Sequence, residues 1–283
     1  MTNTPNRWLF SISRLLRGHY PVFLEYAVDM SPRWVKPDGN PYLRSVFAEA
    51  EQGLAETVGE FAELEAVVDA LCEERLGGLR FDWRNGHLPA LDALSVMWAA
   101  RRAKTTFLEI GSGNSTIAAR AAIRHFGLDT RIVWIDPHPR VAIDGLCDEV
   151  IRTPVEASDL SRIASLEPGD VLFIDSSHRS FMNSDVTVEF LEVLPSLKPG
   201  VLVGAHDICL PFDYPSRWTK RAYNEQYLLG AMLLANPRYF DIRVANYWAT
   251  DQGLFGDALG GIWGRIGTDV RDRGGSAFWG VKT

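Results

Sequence analysis

The sequence has 283 residues, a formal net charge of -7 and 46% hydrophobic residues, which is enough apolar content for a large domain with a full core. The acidic balance and the scattered basic residues argue against broad contact with nucleic acid or an anionic membrane, because both favour clustered Lys and Arg. The 3 cysteines show no C-x-x-C spacing, and we find neither a secretory signal nor a membrane-length apolar run, so a reducing cytoplasm is the expected location.

The first 102 residues are predicted to form an irregular arm followed by a helical cap. Prolines and aromatic residues punctuate residues 1–45, which indicates an irregular arm with short helices. Residues 45–76 carry apolar side chains at helical spacing, which predicts one or two amphipathic helices, and residues 89–102 form another helical run. We expect this cap to cover the ligand site of the domain that follows, with residues 83–87 near that site.

Residues 103–283 are predicted to form a second domain, because short apolar strands alternate with helices. The predicted strands are 106–110, 131–135, 149–152, 171–174, 201–206, 241–245 and 277–281. The predicted helices are 115–126, 141–146, 160–166, 185–197 and 224–234. This alternation predicts an α/β fold with a Rossmann-like, doubly wound, mostly parallel seven-stranded sheet, in which ligands bind at the carboxyl ends of the strands.

The strongest single signal is the glycine-rich turn that follows the first predicted strand. Glycines let the backbone approach a ligand closely, and an acid just before them would repel a pyrophosphate but could accept a hydrogen bond from an ammonium group. A dinucleotide fold needs Gly or Ala where this chain has Thr116, and a turn without any ligand is the other alternative. The candidate cofactor-binding residues of this turn are Glu109, Gly111, Ser112, Gly113, Asn114 and Ser115.

A further acid, Asp136, ends the second predicted strand 25 residues after Gly111. At about this distance an acid can bind the hydroxyl groups of a ribose. Asp136 therefore indicates a nucleoside ligand, without separating one nucleoside cofactor from another. The alternative is that Asp136 caps the next helix.

Two later strands each end in an acid and a histidine. Asp175 and His178 follow the strand at 171–174, and His206 and Asp207 lie at the end of the next predicted strand. Asp207 comes 32 residues after Asp175. Turn formation or capping explains one polar residue at a strand end more easily than four. Because such strand ends can meet at one edge of a sheet, we expect the four side chains to converge beside the glycine-rich turn.

These motifs resemble class I methyltransferases that use S-adenosylmethionine (SAM). Residues 107–116 are similar to motif I of that class, in which the turn lies under the methionine part of SAM. Residues 173–178, 184–185, 194–201 and 206–208 look like a bacterial family related to macrocin O-methyltransferases and, more distantly, to cation-dependent catechol-type enzymes. The resemblance covers roughly residues 80–245 and implies SAM as the cofactor, with Asp136 and Asp175 among its binding residues.

The same resemblance raises the question of a second cofactor, Mg²⁺ or another divalent cation. Relatives often bind one through carboxylates at these two strand ends, so the candidate ligands are Asp175 and Asp207. His206 stands where macrocin-type enzymes have an acid, and Mg²⁺ prefers oxygen ligands. The alternative is a metal-free site in which His178 or His206 acts as base or hydrogen-bond partner, with His178 first choice for the base and Asp175 second.

The sequence therefore predicts a SAM-dependent methyltransferase that methylates an oxygen atom of a small molecule, such as a natural product or a sugar-like acceptor. A methyltransferase that acts on nitrogen or on a protein is one alternative. A protein that binds SAM or a nucleotide without methyl transfer is another. The expected partner is a small-molecule methyl acceptor, with no nucleic acid and no membrane, and the oligomeric state is left open, a homodimer included.

Overall fold

The computed structural model describes residues 27–139, 143–255, 257–267 and 273–283. The chain divides into two compact units, residues 1–32 and 33–283. In the first unit, residues 27–32 are described, and these have neither helix nor strand. The short helices predicted for the beginning of the arm lie outside the described residues. Among the described residues, we find no helix that is both long enough and apolar enough to cross a bilayer.

The second unit is built on a seven-stranded sheet with the order β3-β2-β1-β4-β5-β7-β6. Neighbouring strands from β3 to β5 pair in parallel, whereas β7 runs antiparallel to both β5 and β6. The predicted α/β architecture with a mostly parallel seven-stranded sheet is thus confirmed. The strands are β1 (Thr106–Ile110), β2 (Arg131–Ile135), β3 (Glu149–Ile151), β4 (Val171–Ile174), β5 (Leu202–Ala205), β6 (Phe240–Ala245) and β7 (Phe278–Lys282).

The central strands are apolar along their length because helices cover both faces of the sheet. All four residues of β4 and of β5 are buried. Their side chains alternate between two hydrophobic clusters, one on each face: Phe173 belongs to one cluster, and Leu172 and Ile174 to the other. The order of strands reverses between β1 and β4, and this is where open sheets of this kind bind ligands.

Several helices precede the sheet in the chain, as the helical spacing of residues 45–76 and 89–102 predicts. Their bounds are Pro41–Glu49, Glu51–Glu60, Glu65–Glu73 and Ala90–Arg102, with a 3₁₀ turn at Phe61–Leu64. The first begins earlier than predicted, because Asn40 caps it by accepting hydrogen bonds from two backbone N–H groups and Pro41 fits the first helical position. A domain boundary at residue 102 remains a prediction.

The helices after β1 agree with the prediction in most places. Their bounds are Asn114–His125, Ser161–Ala164, Asp185–Val188, Leu194–Ser196, Glu225–Ala235, Asn246–Gln252 and Gly260–Ile266. The predicted run 185–197 contains a π-helical turn at Glu189–Val193, and the last two helices were not predicted. At 141–146, residues 141–142 lie outside the described residues, and Asp144–Leu146 is a 3₁₀ turn rather than part of a regular α-helix.

Candidate active site

One cavity of about 320 Å³ brings the predicted residues together at the carboxyl ends of β1, β2, β4 and β5. Its walls include both the glycine-rich turn and the two strand ends that carry acid and histidine. Residues 86 and 87, just before the Ala90–Arg102 helix, also line it, which is where we expected the cap to approach the site. The predicted site residues that line the cavity are Gly111, Ser112, Asp136, Asp175, His178, His206 and Asp207.

Gly111 follows β1 directly and lies close to the backbone of Asp175, which follows β4. Its φ is +85°, and a Cβ atom at this position would lie 2.0 Å from the backbone oxygen of Asp175. Its N–H donates to the carbonyl of Ile135 at 2.9 Å, which ties the turn to β2. A residue with a side chain fits neither this conformation nor this space, so the turn requires glycine here.

Asp136 follows β2 and lines the same cavity. Its carboxylate accepts hydrogen bonds from Ser112 Oγ at 2.7 Å and from the backbone N–H of His138 at 2.7 Å. The turn therefore holds this carboxylate at the cavity wall, where a ribose hydroxyl could replace or join the serine. That ribose role stays a prediction.

Glu109 lies beneath the turn and does not line the cavity. It is fully buried, and its carboxyl group accepts hydrogen bonds from Ser115 Oγ and, at 2.6 Å, from Thr116 Oγ1. Burial raises its pKa to about 8 although these hydrogen bonds act in the opposite direction. The structure therefore favours a neutral supporting group at pH 7 over the predicted acceptor for a cofactor ammonium, and Gly113, Asn114 and Ser115 also lie outside the cavity lining.

We expect Glu109→Gln to gain stability relative to the wild-type protein as the pH rises from about 5 to 8. The raised pKa means that the folded protein binds a proton that the unfolded chain has already released, so the free energy of unfolding falls through this range. Glutamine carries no such proton and removes this loss. Urea denaturation at several pH values measures the difference. Unchanged SAM affinity in the variant would confirm the supporting role. Lost affinity would indicate that Glu109 contacts the cofactor.

His178 is held between carboxylates on both of its ring nitrogens. Nδ1 lies 2.5 Å from Glu225 Oε1, while Nε2 lies 3.4 Å from Asp175 Oδ1 and 3.6 Å from Asp207 Oδ2. The histidine and the glutamate are both buried, and Tyr223 packs on the imidazole with ring centroids 4.5 Å apart. Only the Nε2 side faces the predicted reaction centre.

His206 is held in the same manner from the other side of Asp175. Its Nε2 lies 3.1 Å from Asp92 Oδ2, and its Nδ1 lies 3.3 Å from Asp175 Oδ1 and 3.6 Å from Asp207 Oδ1. The structure thus brings all four predicted residues of the two strand ends together. Asp175 lies between two histidines, each of which has a buried carboxylate behind it.

This arrangement shifts the pKa values of all three central groups. Burial by itself would lower the pKa of both histidines, but the charges of Glu225 and Asp175 around His178, and of Asp175 and Asp207 around His206, raise them well above the ordinary value. Burial would raise the pKa of Asp175, but the charge of His206 and the hydrogen bonds from both rings lower it. The surrounding carboxylates therefore favour the protonated form of both rings, and either ring acts as a base only after it has lost a proton.

The backbone at this edge adopts an uncommon conformation. His178 and Asp207 have φ values of +62° and +55°, in the left-handed region that residues with a Cβ rarely occupy. β5 ends at Ala205, so His206 and Asp207 are outside the strand and both reach the same site. Strained residues that the surroundings hold in place cluster at functional sites, which is consistent with a functional role here.

The donor set fits a divalent transition-metal ion better than Mg²⁺. One ligand atom from each of Asp175, His178 and His206 lies within 4.8 Å of the others. In metal sites a ligating histidine usually donates its other N–H to a carboxylate, as Glu225 and Asp92 would accept here. Imidazole suits Zn, Fe, Ni or Cu, whereas Mg²⁺ takes oxygen ligands, so Mg²⁺ is the less suitable of the predicted cations.

Some important residues of the site were not assigned from the sequence. Asp92 is the clearest: it is fully buried and accepts from Asn246 Nδ2 and from the backbone N–H of Ser276 and Ala277, each at 2.8 Å. An acid inside the apolar run of the Ala90–Arg102 helix is a visible signal in the sequence, but its partners lie more than 100 residues away. Glu225 is a second such residue: it begins the Glu225–Ala235 helix, and its carboxylate contacts His178 Nδ1.

Comparison with known protein families gives one match. Residues 108–208, from β1 to just beyond β5, match a family described as "Methyltransferase domain". This segment is similar to a methyltransferase domain. The matched range contains the glycine-rich turn, Asp136 and both strand ends of the cavity, and it agrees with a Rossmann-like methyltransferase fold of class I. No curated protein matches the sequence. The relation to macrocin-type enzymes remains a resemblance.

Proposed function

We propose that the protein is a SAM-dependent methyltransferase that methylates an oxygen atom of a small molecule. The observation that carries the proposal is that one cavity joins the Gly111 turn and Asp136 to the acid and histidine side chains after β4 and β5. A pure SAM-binding protein has no need of two buried histidines with carboxylates behind them. The similarity of residues 108–208 to methyltransferase domains supports the same reaction.

SAM would supply an electrophilic methyl group on a positively charged sulfur. Methyl transfer then needs an acceptor oxygen in line with that methyl group and a group that takes the hydroxyl proton. On transfer the acceptor oxygen would bond to the methyl carbon, and the carbon–sulfur bond would break with its electron pair left on sulfur. The hydroxyl proton would pass to Nε2 of His178 in its neutral form, which the ring reaches by first losing its own proton to solvent. Glu225 holds the ring so that Nε2 faces Asp175 and Asp207.

A second version of the chemistry places a divalent cation between Asp175, His178, His206 and Asp207. The carboxylates behind the two rings favour it, because they orient both near nitrogens towards a common point. A bound cation would supply its positive charge in place of the two imidazolium protons and would lower the pKa of the acceptor hydroxyl. Methyl transfer in the presence and absence of a chelator separates the two versions.

The proposal is tested first by the cofactor. We expect SAM and its demethylated product to bind in calorimetry, NAD not to bind, and Asp136→Ala to weaken SAM binding by at least about tenfold. Asp129, an exposed acid just before the other end of β2, is the matched control, and Asp129→Ala should leave the affinity unchanged. Equal SAM affinity in Asp136→Ala and wild type would remove Asp136 from the ribose role, and binding of NAD alone would overturn the proposal.

The acceptor decides between the remaining alternatives. A methyl-transfer assay over a library of hydroxylated and aminated small molecules, with a protein extract as a separate arm, distinguishes oxygen, nitrogen and protein methylation. We expect the methyl group to be transferred to a hydroxylated small molecule. Binding of SAM with no transfer to any arm would support a SAM-binding protein without methyl transfer.

A further inference from the structure

A second cavity of about 460 Å³ lies next to the first and shares residues with it. Trp218, Arg221 and Ser276 line both, and Ser276 Oγ donates to Asp207 Oδ1 at 3.2 Å. The second cavity therefore adjoins the first beside Asp207, and Gly111 is not part of its lining. Its size is within the range of sites for small molecules. Since the first cavity holds the predicted cofactor residues, the second is where the rest of an acceptor would lie.

The second cavity has the opposite charge character to the first. Arg84, Arg217 and Arg221 line it, and no described Asp or Glu residue does. In the first cavity the described lining includes five carboxylates, Asp136, Glu156, Asp175, Asp185 and Asp207. In a chain with a net charge of -7, three arginines at one cavity oppose the overall charge and favour an anion.

The arginines of the second cavity make few contacts with carboxylates. Arg221 Nη1 lies 3.8 Å from Asp207 Oδ2, while Arg84 donates to the backbone carbonyl of Gly267 at 3.1 Å. In the described part of the chain, no ion pair within 4.0 Å involves Arg84 or Arg217. A guanidinium group presents donors in a planar fork that matches a carboxylate or a phosphate.

Aromatic side chains also line this cavity. Trp83, Trp218 and Tyr247 line it. The Arg221 guanidinium carbon lies 4.4 Å from the ring centroid of Trp218, and that of Arg217 lies 5.7 Å from it. Flat rings beside guanidinium groups favour a planar ligand whose anionic group reaches the arginines.

We propose that the methyl acceptor is an aromatic hydroxy compound with an anionic group, a carboxylate or a phosphate. The anion binds at Arg217 and Arg84, the ring lies against Trp218, and the hydroxyl group reaches the side chains of His178 and Asp207. This inference rests on the proposed function for the role of the ligand as acceptor. The preference of the cavity for an anion is nevertheless measurable without methyl transfer.

The test is binding of a panel of hydroxylated aryl carboxylates and aryl phosphates, each paired with its uncharged amide or alcohol. Calorimetry in the presence of saturating demethylated SAM gives the dissociation constants. We expect at least one carboxylate or phosphate to bind about tenfold more tightly than its uncharged partner, and the chemical class that does so fixes the anion. Arg217→Gln should reduce this preference by up to about fivefold, the size expected for a partly exposed ion pair, and Arg84→Gln should act in the same direction.

Lys220→Gln is the matched control, because Lys220 is an exposed cation on the same 3₁₀ helix, Ser216–Arg221, and lines neither cavity. It should leave the preference unchanged. The inference is overturned if no member of the panel binds, if the uncharged partners bind equally well, or if Lys220→Gln has the same effect as Arg217→Gln. Failure to bind SAM, by contrast, would count against the proposed function alone, since the anion preference can also be measured without any cofactor.

Discussion

Gly111→Ala is expected to abolish detectable SAM binding and to lower the free energy of unfolding by about 2–5 kcal/mol. Part of this cost is the left-handed backbone, which is unfavourable for alanine at φ +85°. The larger part is the Cβ atom, which would lie 2.0 Å from the carbonyl oxygen of Asp175 and would push the ends of β1 and β4 apart. Calorimetry with SAM and urea denaturation measure the two effects.

Gly127→Ala is the matched control for this prediction. Gly127 also has a left-handed backbone, with φ +61°, but a Cβ atom there meets nothing within 4 Å. The control therefore carries the conformational cost, about 1–2 kcal/mol, without the steric one and should bind SAM normally. If the two variants lost equal stability and both bound SAM, the close approach of β1 and β4 would not be what the site requires.

His178→Ala is expected to reduce methyl transfer by about 10²- to 10⁴-fold while SAM affinity stays nearly intact, as is usual when a general base is removed. The same histidine makes the wild-type reaction depend on pH. Its pKa is raised, so the neutral ring is the minor form at pH 7, and turnover should increase as the pH rises above neutrality. The measurements are initial rates with the acceptor identified from the library, from pH 6 to pH 10.

Two outcomes separate the base from the cation. If His178 takes the proton in a metal-free site, a chelator has no effect and the increase with pH disappears in His178→Ala. If a cation does the work, a chelator abolishes turnover, a transition-metal ion restores it better than Mg²⁺ does, and Asp175→Asn and Asp207→Asn resemble the chelated protein. A fully active His178→Ala enzyme would exclude this histidine as the base.

The parts of the fold that local sequence determines agree closely with the prediction. β1, β2 and β4 have the predicted bounds because each is a short apolar run between clear turn signals. Helices Asn246–Gln252 and Gly260–Ile266 were missed because they are single short elements, rich in aromatic residues or glycine, whose formation depends on packing. The π-helical turn at Glu189–Val193 also has no local signal, since its residues fit an ordinary amphipathic helix.

The candidate site divides in the same way. The residues at the strand ends could be identified because parallel strands end at the same edge of a sheet. The structure brings all four side chains into one cavity. The two carboxylates behind the histidines could not be identified from the sequence. Asp92 and Glu225 come from distant helices, and each faces its histidine only in the folded chain. Likewise Glu109 has the right position in the sequence for cofactor contact, and only its burial shows that it lies beneath the turn.

The position of β7 has a consequence for how the site is completed during protein synthesis. β7 lies between β5 and β6, although it is made after both, and the backbone N–H groups of Ser276 and Ala277 just before it bind Asp92. A nascent chain that ends before residue 276 therefore lacks the strand that pairs with the outer edge of β5 in the folded protein, and Asp92 behind His206 lacks these two donors. The ribosome must release residues 276–282 before the arrangement around His206 is complete, so a partly made chain can form the Gly111 turn earlier than it can form the complete reaction centre.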